Sequence, residues 1–379
     1  MKKIIIITTV PISLETLIKG QPKYLSQFFE VKLVTSEGCN NELIVDYEGV
    51  ELYPINMTRK ITIIKDLISL IKLFFFILKE KPDIVYTFTP KAGLLGMISS
   101  FFSRVPIRIH NIVGMPLMVA TGKRKILLKF IEKLTYFFST KLFCNSFGLK
   151  VFIHDNLTQK QIKVIGQGSI NGVDTNFFEN NFSSAEKKTI RKKLDIDEND
   201  FVLTFVGRIV RDKGVNELIE AVEELKNVHT NLKLLLVGDY DTNLNPIEKE
   251  NYNIIMTSQN IITVGFQKDI REFLGISDAF VLPSYREGLP NSLIEAGSFG
   301  IPLIASNING CNEIIINKQT GLLVNQKDTL DLQRAINELI TNSELYDAIK
   351  ENVRESMINR FSQDYFWKEM ENEFKSNFR

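Results

Sequence analysis

Short runs of β-branched and other apolar residues recur along the whole chain, and longer segments with apolar residues at helical spacing lie between them. Most positions in each run are apolar, so side chains on both faces of such a strand must be covered. Strands of this kind occur in parallel sheets, where crossover helices cover both faces. The runs are KKIIIITT, VKLVTS, DIVYTFT, IRIHNIV, FVLTFVG, LKLLLVGD, IITVG, AFVLPS, PLIAS and GLLV. Their alternation with helical segments predicts an α/β protein with parallel sheets.

The chain has 379 residues, which is more than one typical domain needs. A polar region around 155–200 divides the apolar runs into two sets and is interpreted as a hinge followed by an exposed helix. We therefore predict two Rossmann-like domains, at 1–165 and 166–360, whose sheets face each other across a cleft. Open parallel sheets bind ligands at the carboxyl ends of their strands, so the cleft is the expected site of function.

The charge is distributed unevenly between the halves of the chain. Residues 1–165 carry 23 Lys and Arg against 12 Asp and Glu, whereas the remaining residues carry 23 against 33. This difference predicts that the first half meets something anionic. The three cysteines have no C-x-x-C spacing, which argues against a disulfide framework or a zinc site and fits a reducing cytosol.

Segment 123–141 is predicted to be a helix with one apolar stripe and a separate basic cluster. The stripe comprises Leu127, Phe130, Ile131, Leu134 and Phe138, and the cluster comprises Lys123, Arg124, Lys125, Lys129 and Lys133. Either the stripe packs on the sheet of its own domain and the basic side is solvated, or the helix attaches to an anionic membrane surface. No membrane span is predicted, because charged residues interrupt the most apolar stretch, 61–79.

The stretch PSYREGLPNSLIEAG, residues 283–297, places one carboxylate in a loop and a second one in the helix that follows. Pro290 suits the first position of that helix, whose free N–H groups could bind a phosphate. Gly288 would let a ligand approach the backbone closely. Glu287 and Glu295 could accept hydrogen bonds from sugar hydroxyls on either side of the phosphate. The alternative is that both are ordinary solvated charges.

A second stretch, FVGRIVRDKGVNELIEA at 205–221, places Arg208 and Lys213 between a strand and a helix. Two cations at that position suit the neutralisation of a leaving diphosphate. An isolated pair of this kind would more often be ordinary surface charge.

In this order and spacing, the two stretches resemble the second domain of the retaining nucleotide-sugar glycosyltransferases of family 4, which have the GT-B fold. The resemblance covers about 170–330, including NGVDTNFF and PLIASNINGCNEII. It implies that Arg208 and Lys213 contact the donor diphosphate. It also implies that Glu287 binds the hydroxyls of the donor sugar and that Glu295 binds those of the ribose. It also implies that a C-terminal helix at 361–379 crosses back to the first domain. The implied donor-binding residues are Gly207, Arg208, Lys213, Glu287, Gly288, Leu289, Pro290, Asn291 and Glu295.

The first half is similar to the branch of the family that builds bacterial surface polysaccharides on polyprenyl diphosphate. Many family members have Gly-Gly after the first strand, whereas this chain has Thr9-Val10-Pro11-Ile12-Ser13. The candidates there for acceptor or phosphate contact are Pro11, Ser13, Lys91 and Gly114. The implied catalytic residues are Arg208, Lys213, Glu287 and His110. His110 either faces the acceptor or is a hydrogen-bonded core residue of its strand.

The function implied by the resemblance is transfer of a sugar, an N-acetylhexosamine or a related one, from a UDP-sugar to a polyprenyl-diphosphate-linked saccharide. Such an enzyme would act in capsule, O-antigen or glycan biosynthesis, in the cytoplasm on the inner face of the membrane. No cofactor, metal or nucleic acid is predicted to take part. Asp239-Tyr240-Asp241 has the D-x-D pattern of metal-dependent transferases, but it follows a strand and is interpreted as a turn. A nucleotide-sugar epimerase and a non-catalytic sugar-nucleotide-binding protein remain alternatives.

Overall fold

The computed structural model describes residues 1–118, 120–241 and 245–378. It divides into two compact units, one of Met1–Gly172 with Gln363–Arg379 and one of Val173–Ser362. The sequence placed domain boundaries at 165 and 360, a few residues before these divisions. Each unit is a parallel sheet covered by helices, which confirms the predicted α/β class.

Unit 1 has a seven-stranded parallel sheet in its described residues, with the order β3-β2-β1-β4-β5-β6-β7. The strands are β1 Lys3–Ile7, β2 Glu30–Thr35, β3 Glu51–Pro54, β4 Ile84–Phe88, β5 Ile107–Ile112, β6 Lys141–Cys144 and β7 Ile162–Val164. The helices are α1 Pro11–Leu17, α2 Gln21–Ser26, α3 Asn41–Glu48, α4 Ile63–Glu80, α5 Pro90–Phe102, α6 Gly122–Phe138 and α7 Phe147–Asn156. The central strands β1 and β4 are almost wholly buried, as their continuous apolar sequences require.

Unit 2 has a six-stranded parallel sheet in the described part of the chain, with the order β10-β9-β8-β11-β12-β13. The strands are β8 Phe201–Val206, β9 Leu232–Val237, β10 Ile261–Gly265, β11 Ala279–Leu282, β12 Leu303–Ser306 and β13 Gly321–Val324. The helices are α8 Ser184–Lys193, α9 Val215–Leu225, α10 Lys249–Thr257, α11 Arg271–Gly275, α12 Asn291–Ser298, α13 Cys311–Ile314, α14 Thr329–Thr341 and α15 Ser343–Phe361. The exposed helix predicted after the hinge is α8, which begins with a capping box of Ser183 and Glu186.

The last helix, α16 Gln363–Ser376, belongs to unit 1. Its buried Phe366, Met370 and Phe374 join the core on one face of the unit 1 sheet. The Trp367 indole N–H donates to Asn171 Oδ1 at 2.8 Å. The helix is therefore part of the core of unit 1.

The buried side of helix α6 is not the apolar stripe identified in segment 123–141. Its buried residues are Glu132, Thr135 and Tyr136. Leu127 and Phe130 are exposed, and the other stripe residues are half-buried. The helix therefore presents part of its apolar surface, as well as its basic cluster, to solvent. Among the helices that the structure describes, none combines the length and apolarity that crossing a bilayer requires.

Candidate active site

The candidate donor-binding residues lie where the strand order of unit 2 reverses. Strand β8 pairs with β9 on one side and with β11 on the other, so the chain leaves β8 in one direction and later returns on its opposite side. The loops after β8 and β11 consequently emerge at the same edge of the sheet, next to each other. This is the position at which open parallel sheets bind ligands.

Lys213 ends a short 3₁₀ turn, Arg211–Lys213, between β8 and α9. The next residue, Gly214, has a φ of +71°, and a Cβ atom there would lie 1.9 Å from the carbonyl oxygen of Pro283. Only glycine fits both that conformation and that contact. Gly214 thus allows the turn to lie directly against the end of β11.

The contact brings two predicted site residues together. The Lys213 Nζ atom lies 2.6 Å from Glu287 Oε1, and both side chains are largely buried, with 24% and 11% exposure. The hydroxyl of buried Ser284 donates to the same oxygen at 2.7 Å. Within the described residues, the second oxygen, Oε2, receives no hydrogen bond and is free to accept one from a ligand.

The loop between β11 and α12 contains backbone donors that have no acceptor in the described part of the protein. They are the N–H groups of Arg286, Glu287, Gly288, Leu289, Asn291 and Ser292. Pro290 is the N-cap of α12, so the helix begins at Asn291, one position after the start predicted from sequence, and no described side chain caps it. Unsatisfied N–H groups and a helix N-terminus together favour an anion.

Glu295 lies in the second turn of α12. Its carboxylate has no hydrogen-bond partner among the described residues, and burial raises its pKa to about 7. Although the side chain keeps some exposure, the surrounding protein desolvates the charged form. A carboxylate held in this way can accept hydroxyl hydrogen bonds from a ligand without first losing a protein partner.

Arg208 follows Gly207 in the loop after β8. Its guanidinium, 55% exposed, donates to Asp241 Oδ2 at 3.1 Å. Asp239 accepts a hydrogen bond from the N–H of Phe266. The D-x-D residues therefore support the loops at this edge. The described residues hold no cluster of three or more His, Cys, Asp or Glu side chains suited to a metal ion.

A network around Tyr285 joins the two site loops, and sequence reasoning missed it. The N–H of Tyr285 donates to the carbonyl of Asp212 at 3.0 Å, and its hydroxyl donates to Glu217 Oε1 at 2.5 Å. Arg286 pairs with Asp212 at 2.8 Å. Ser284 was also missed, although a serine three residues before Glu287 at a strand end was a usable signal. The network holds the Lys213 turn in register with the Glu287 loop.

The acceptor-side candidates lie in unit 1, and among the described residues no hydrogen bond or ion pair joins one of them to another. Pro11 opens α1, and buried Ser13 lies in its first turn. Gly114 lies in the loop after β5. The Lys91 Nζ atom is 2.6 Å from Asp66 Oδ1 and 3.3 Å from the Thr58 hydroxyl. The charge of Lys91 is thus paired inside unit 1.

His110 is a buried residue of β5 with 2% exposure. Its Nδ1 atom lies 2.9 Å from the Thr87 hydroxyl of the neighbouring strand. Burial lowers the pKa of the imidazole to about 4. This geometry matches the core-residue alternative, and His110 is not part of the site proposed below.

Two family models match the chain. "Glycosyl transferase 4-like" covers residues 15–146, and "Glycosyl transferases group 1" covers residues 186–356, the region that contains both site loops. The capsular polysaccharide biosynthesis glycosyltransferase CapM of Staphylococcus aureus is 33% identical over 378 residues, which are 99% of this chain and 97% of CapM. The chain is a glycosyltransferase of family 4. The resemblance found in the motifs is thereby confirmed.

Another relative of this glycosyltransferase is the Escherichia coli UDP-Gal:alpha-D-GlcNAc-diphosphoundecaprenol alpha-1,3-galactosyltransferase. It is 31% identical, over 88% of this chain and 86% of the relative. Among solved structures, Anabaena HepE in complex with UDP superimposes with a TM-score of 0.81 at 19% identity, covering 99% of this chain and 100% of HepE. At that identity the likeness concerns the fold, and it confirms GT-B.

Proposed function

We propose that this glycosyltransferase moves a sugar from a UDP-sugar to a polyprenyl-diphosphate-linked saccharide, with retention of the anomeric configuration. The proposed donor site rests on the Lys213–Glu287 ion pair. This pair lies beside the start of α12, whose N–H groups have no acceptor among the described residues. A diphosphate needs cations and N–H donors, and a sugar needs carboxylate acceptors. This edge of unit 2 offers all of them.

Each donor group has a proposed partner. Arg208 and Lys213 bind the diphosphate, together with the N–H groups between Gly288 and Ser292. Glu287 accepts a hydrogen bond from a sugar hydroxyl through Oε2. Glu295 accepts the ribose hydroxyls. An N-acetylhexosamine or a related sugar is the proposed donor sugar.

In the reaction, the bond between the anomeric carbon and the diphosphate oxygen breaks, and a bond to the acceptor oxygen forms on the same face. The acceptor proton passes to the departing phosphate. Negative charge grows on the diphosphate and positive charge on the sugar ring, so fixed cations and N–H donors near the phosphate lower the barrier. No covalent intermediate on the protein is part of this proposal.

We also propose that no metal ion is required. Arg208, Lys213 and the start of α12 supply the positive charge that a divalent cation provides in other transferases. Activity is therefore expected to persist in excess EDTA, after the protein has been stripped of metal. Loss of activity that Mg²⁺ or Mn²⁺ restores would refute metal independence and leave the donor site intact.

The lipid-linked acceptor is proposed from the relatives, one of which is named for a GlcNAc-diphosphoundecaprenol substrate. Such an acceptor stays in the membrane, so the enzyme is expected to work at the cytoplasmic membrane surface. The exposed basic residues of α6 support this placement, because anionic headgroups attract Lys and Arg by about 1 kcal/mol each.

The test is incubation of the protein with a panel of UDP-sugars, with and without a polyprenyl-diphosphate-linked acceptor. UDP release that depends on the acceptor, with retained configuration in the product by NMR, is the expected result. Conversion of the UDP-sugar to its epimer without acceptor would favour an epimerase. Tight donor binding without turnover on any acceptor would favour a sugar-nucleotide-binding protein.

A further inference from the structure

Helix α4 of unit 1 is apolar on the side that faces away from the core. Leu73, Phe76 and Ile77 pack on the sheet, in a core that includes Ile5 and Val85. The opposite side forms what we call the outer face of α4, comprising Ile64, Leu67, Ile68, Ile71, Phe75 and Leu78, with exposures from 45% to 77%. Soluble monomers rarely leave such a contiguous apolar surface in water. Helix α4 is apolar on two opposite sides, and an apolar helix surface is normally covered.

The apolar surface continues onto the neighbouring helices. The Ser103 hydroxyl of unit 1 donates to the Phe74 carbonyl at 3.3 Å, which joins the carboxyl ends of α4 and α5. There the exposed Phe101 and Phe102 rings lie 5.4 Å apart, and Phe101 lies 5.0 Å from Phe138 of α6. Helix α6 adds its own exposed apolar side chains, Ile126, Leu127, Phe130 and Phe137. Three adjacent helices thus share this surface.

The exposed charges on these helices that have no ion-pair partner among the described residues are all basic. Lys65, Lys72 and Lys79 recur every seven residues, which places them along one flank of the outer face of α4. The acidic residues of α4 are neutralised inside unit 1, Asp66 by Lys91 at 2.6 Å and Glu80 by Lys3 at 3.0 Å. Helix α5 has no acidic residue, and Glu132 of α6 is buried. Eight exposed basic side chains, which make no ion pair with described residues, therefore accompany the apolar surface: Lys65, Lys72, Lys79, Lys123, Arg124, Lys125, Lys129 and Lys133.

We propose that the outer face of α4 inserts into the headgroup and upper acyl region of an anionic lipid leaflet, with its lysine flank at the phosphates. An amphipathic helix that lies in the membrane plane has this combination of apolar side chains and flanking lysines. The lysine stems extend along apolar surface while their ammonium groups reach the headgroups. A second copy of the chain is a poorer occupant, because a symmetric contact would bring two basic surfaces together.

The membrane attachment proposed above is electrostatic and involves α6, whereas the insertion adds burial of apolar side chains of α4. These two modes of binding differ in their salt dependence. Electrostatic attraction is screened at high ionic strength, whereas apolar burial is not. The full chain is expected to sediment with vesicles of phosphatidylglycerol and phosphatidylethanolamine, and a fraction should remain bound at about 1 M NaCl. Complete release by salt would overturn the insertion.

The decisive variant combines Ile64→Ser, Ile71→Ser and Phe75→Ser. These side chains are exposed, so the fold should survive, and vesicle partitioning at high salt should fall at least about tenfold. The matched control combines Val228→Ser, Met256→Ser and Leu330→Ser, whose exposures of 61% to 73% on unit 2 are similar. It should bind as the parent does. Equal vesicle binding by the two triple variants would overturn the proposal. A change from dimer to monomer in the α4 variant, measured without lipid, would overturn it too.

A fluorescent probe tests depth directly. Lipids brominated on the upper acyl carbons should quench the indole fluorescence of the Phe75→Trp variant but not that of the Leu330→Trp variant. Trp367 contributes the same background fluorescence to both variants. UDP-sugar binding without lipid should be unchanged by the α4 substitutions, because the proposed donor site lies in unit 2. Failure of UDP-sugar transfer with intact vesicle insertion would count against the proposed function alone. Absence of quenching in the Phe75→Trp variant, together with normal transfer to a water-soluble acceptor, would count against insertion alone.

Discussion

At the scale of single residues, the two cations of the proposed donor site are held in different ways. Lys213 is largely buried and paired with Glu287, whereas Arg208 is more than half exposed. Replacement of either by Ala should lower turnover by about 10²-fold or more, since each is proposed to meet the charge that grows on the diphosphate. Only Lys213→Ala should also lower the free energy of unfolding, by about 1–2 kcal/mol, because it leaves a buried carboxylate without its cation. Steady-state kinetics and urea unfolding of both variants would check this, and normal turnover in both would remove their proposed role.

The raised pKa of Glu295 is expected to give donor binding a defined pH dependence, because the side chain is proposed to bind the ribose. Above its pKa of about 7 the side chain is a carboxylate that can accept two ribose hydroxyls, and below it the protonated form accepts less well. Affinity for a UDP-sugar, whose phosphates do not titrate in this range, should therefore fall as the pH drops from about 8 to about 6. Calorimetry should also detect proton release on binding near pH 7.

Glu295→Gln is the matched variant for that dependence. It keeps one acceptor oxygen but cannot titrate, so its affinity should be lower at high pH and nearly flat with pH. If the variant keeps the parental pH profile, another group is responsible.

The residues of the proposed donor site could be picked out from sequence motifs, but their pairings could not. Glu287 and Lys213 were assigned from their motifs, yet they lie 74 residues apart, and their 2.6 Å contact depends on how β8 and β11 pair. The burial of His110 likewise depends on neighbouring strands. Motif chemistry is local in the chain, whereas burial and pairing are properties of the folded sheet.

At the scale of elements, the turn before α9 depends on Gly214. Gly214→Ala would put a Cβ atom 1.9 Å from the Pro283 carbonyl oxygen and would also strain a φ of +71°. Gly49 has a similar φ of +66°, but no atom of the described residues lies within 4 Å of the added Cβ. Gly49→Ala should therefore lose only the conformational term, about 1–2 kcal/mol, with normal activity. Gly214→Ala should lose more stability and bind the donor more weakly, as thermal unfolding and UDP-sugar titration can measure; equal losses in the two variants would contradict this account.

The elements that sequence predicted best are those with continuous apolar runs. Every run named in the second half became a strand of unit 2, since such runs can only be buried in a covered parallel sheet. Strands β3, β6 and β7 were missed for other reasons than length. Strands β3 (ELYP) and β7 (IKV) lie at the edges of the unit 1 sheet and each contains a charged residue, so neither has a continuous apolar run. Strand β6 (KLFC) begins three residues after the apolar end of α6, which hides its start in the sequence. The sequence also left the packing of α6 open, because a helix that is apolar on more than one side does not identify the side that meets the sheet.

At the scale of the whole molecule, the fold of unit 1 depends on the end of the chain. Phe374 of α16 is fully buried, with its ring 5.3 Å from Tyr86 and 6.2 Å from Phe29. Phe374→Ala should destabilise unit 1 by about 3–5 kcal/mol through the cavity that it leaves. Trp367 is the only tryptophan, so its fluorescence during urea unfolding reports on this unit. UDP-sugar affinity below the transition should be unchanged, and weaker binding there would contradict a donor site contained in unit 2.

The ion pair in the proposed donor site bears on the end of each catalytic cycle. Lys213 and Glu287 together carry no net charge, so we expect them to hold spent UDP less firmly than a lone ammonium would, which would favour its departure. Glu287→Gln removes that opposing charge while keeping the shape of the side chain. The variant should become a slow enzyme that retains its nucleotide, with a lower inhibition constant for UDP and a smaller kcat; an unchanged or weaker inhibition constant would show that the carboxylate has no part in letting the nucleotide go.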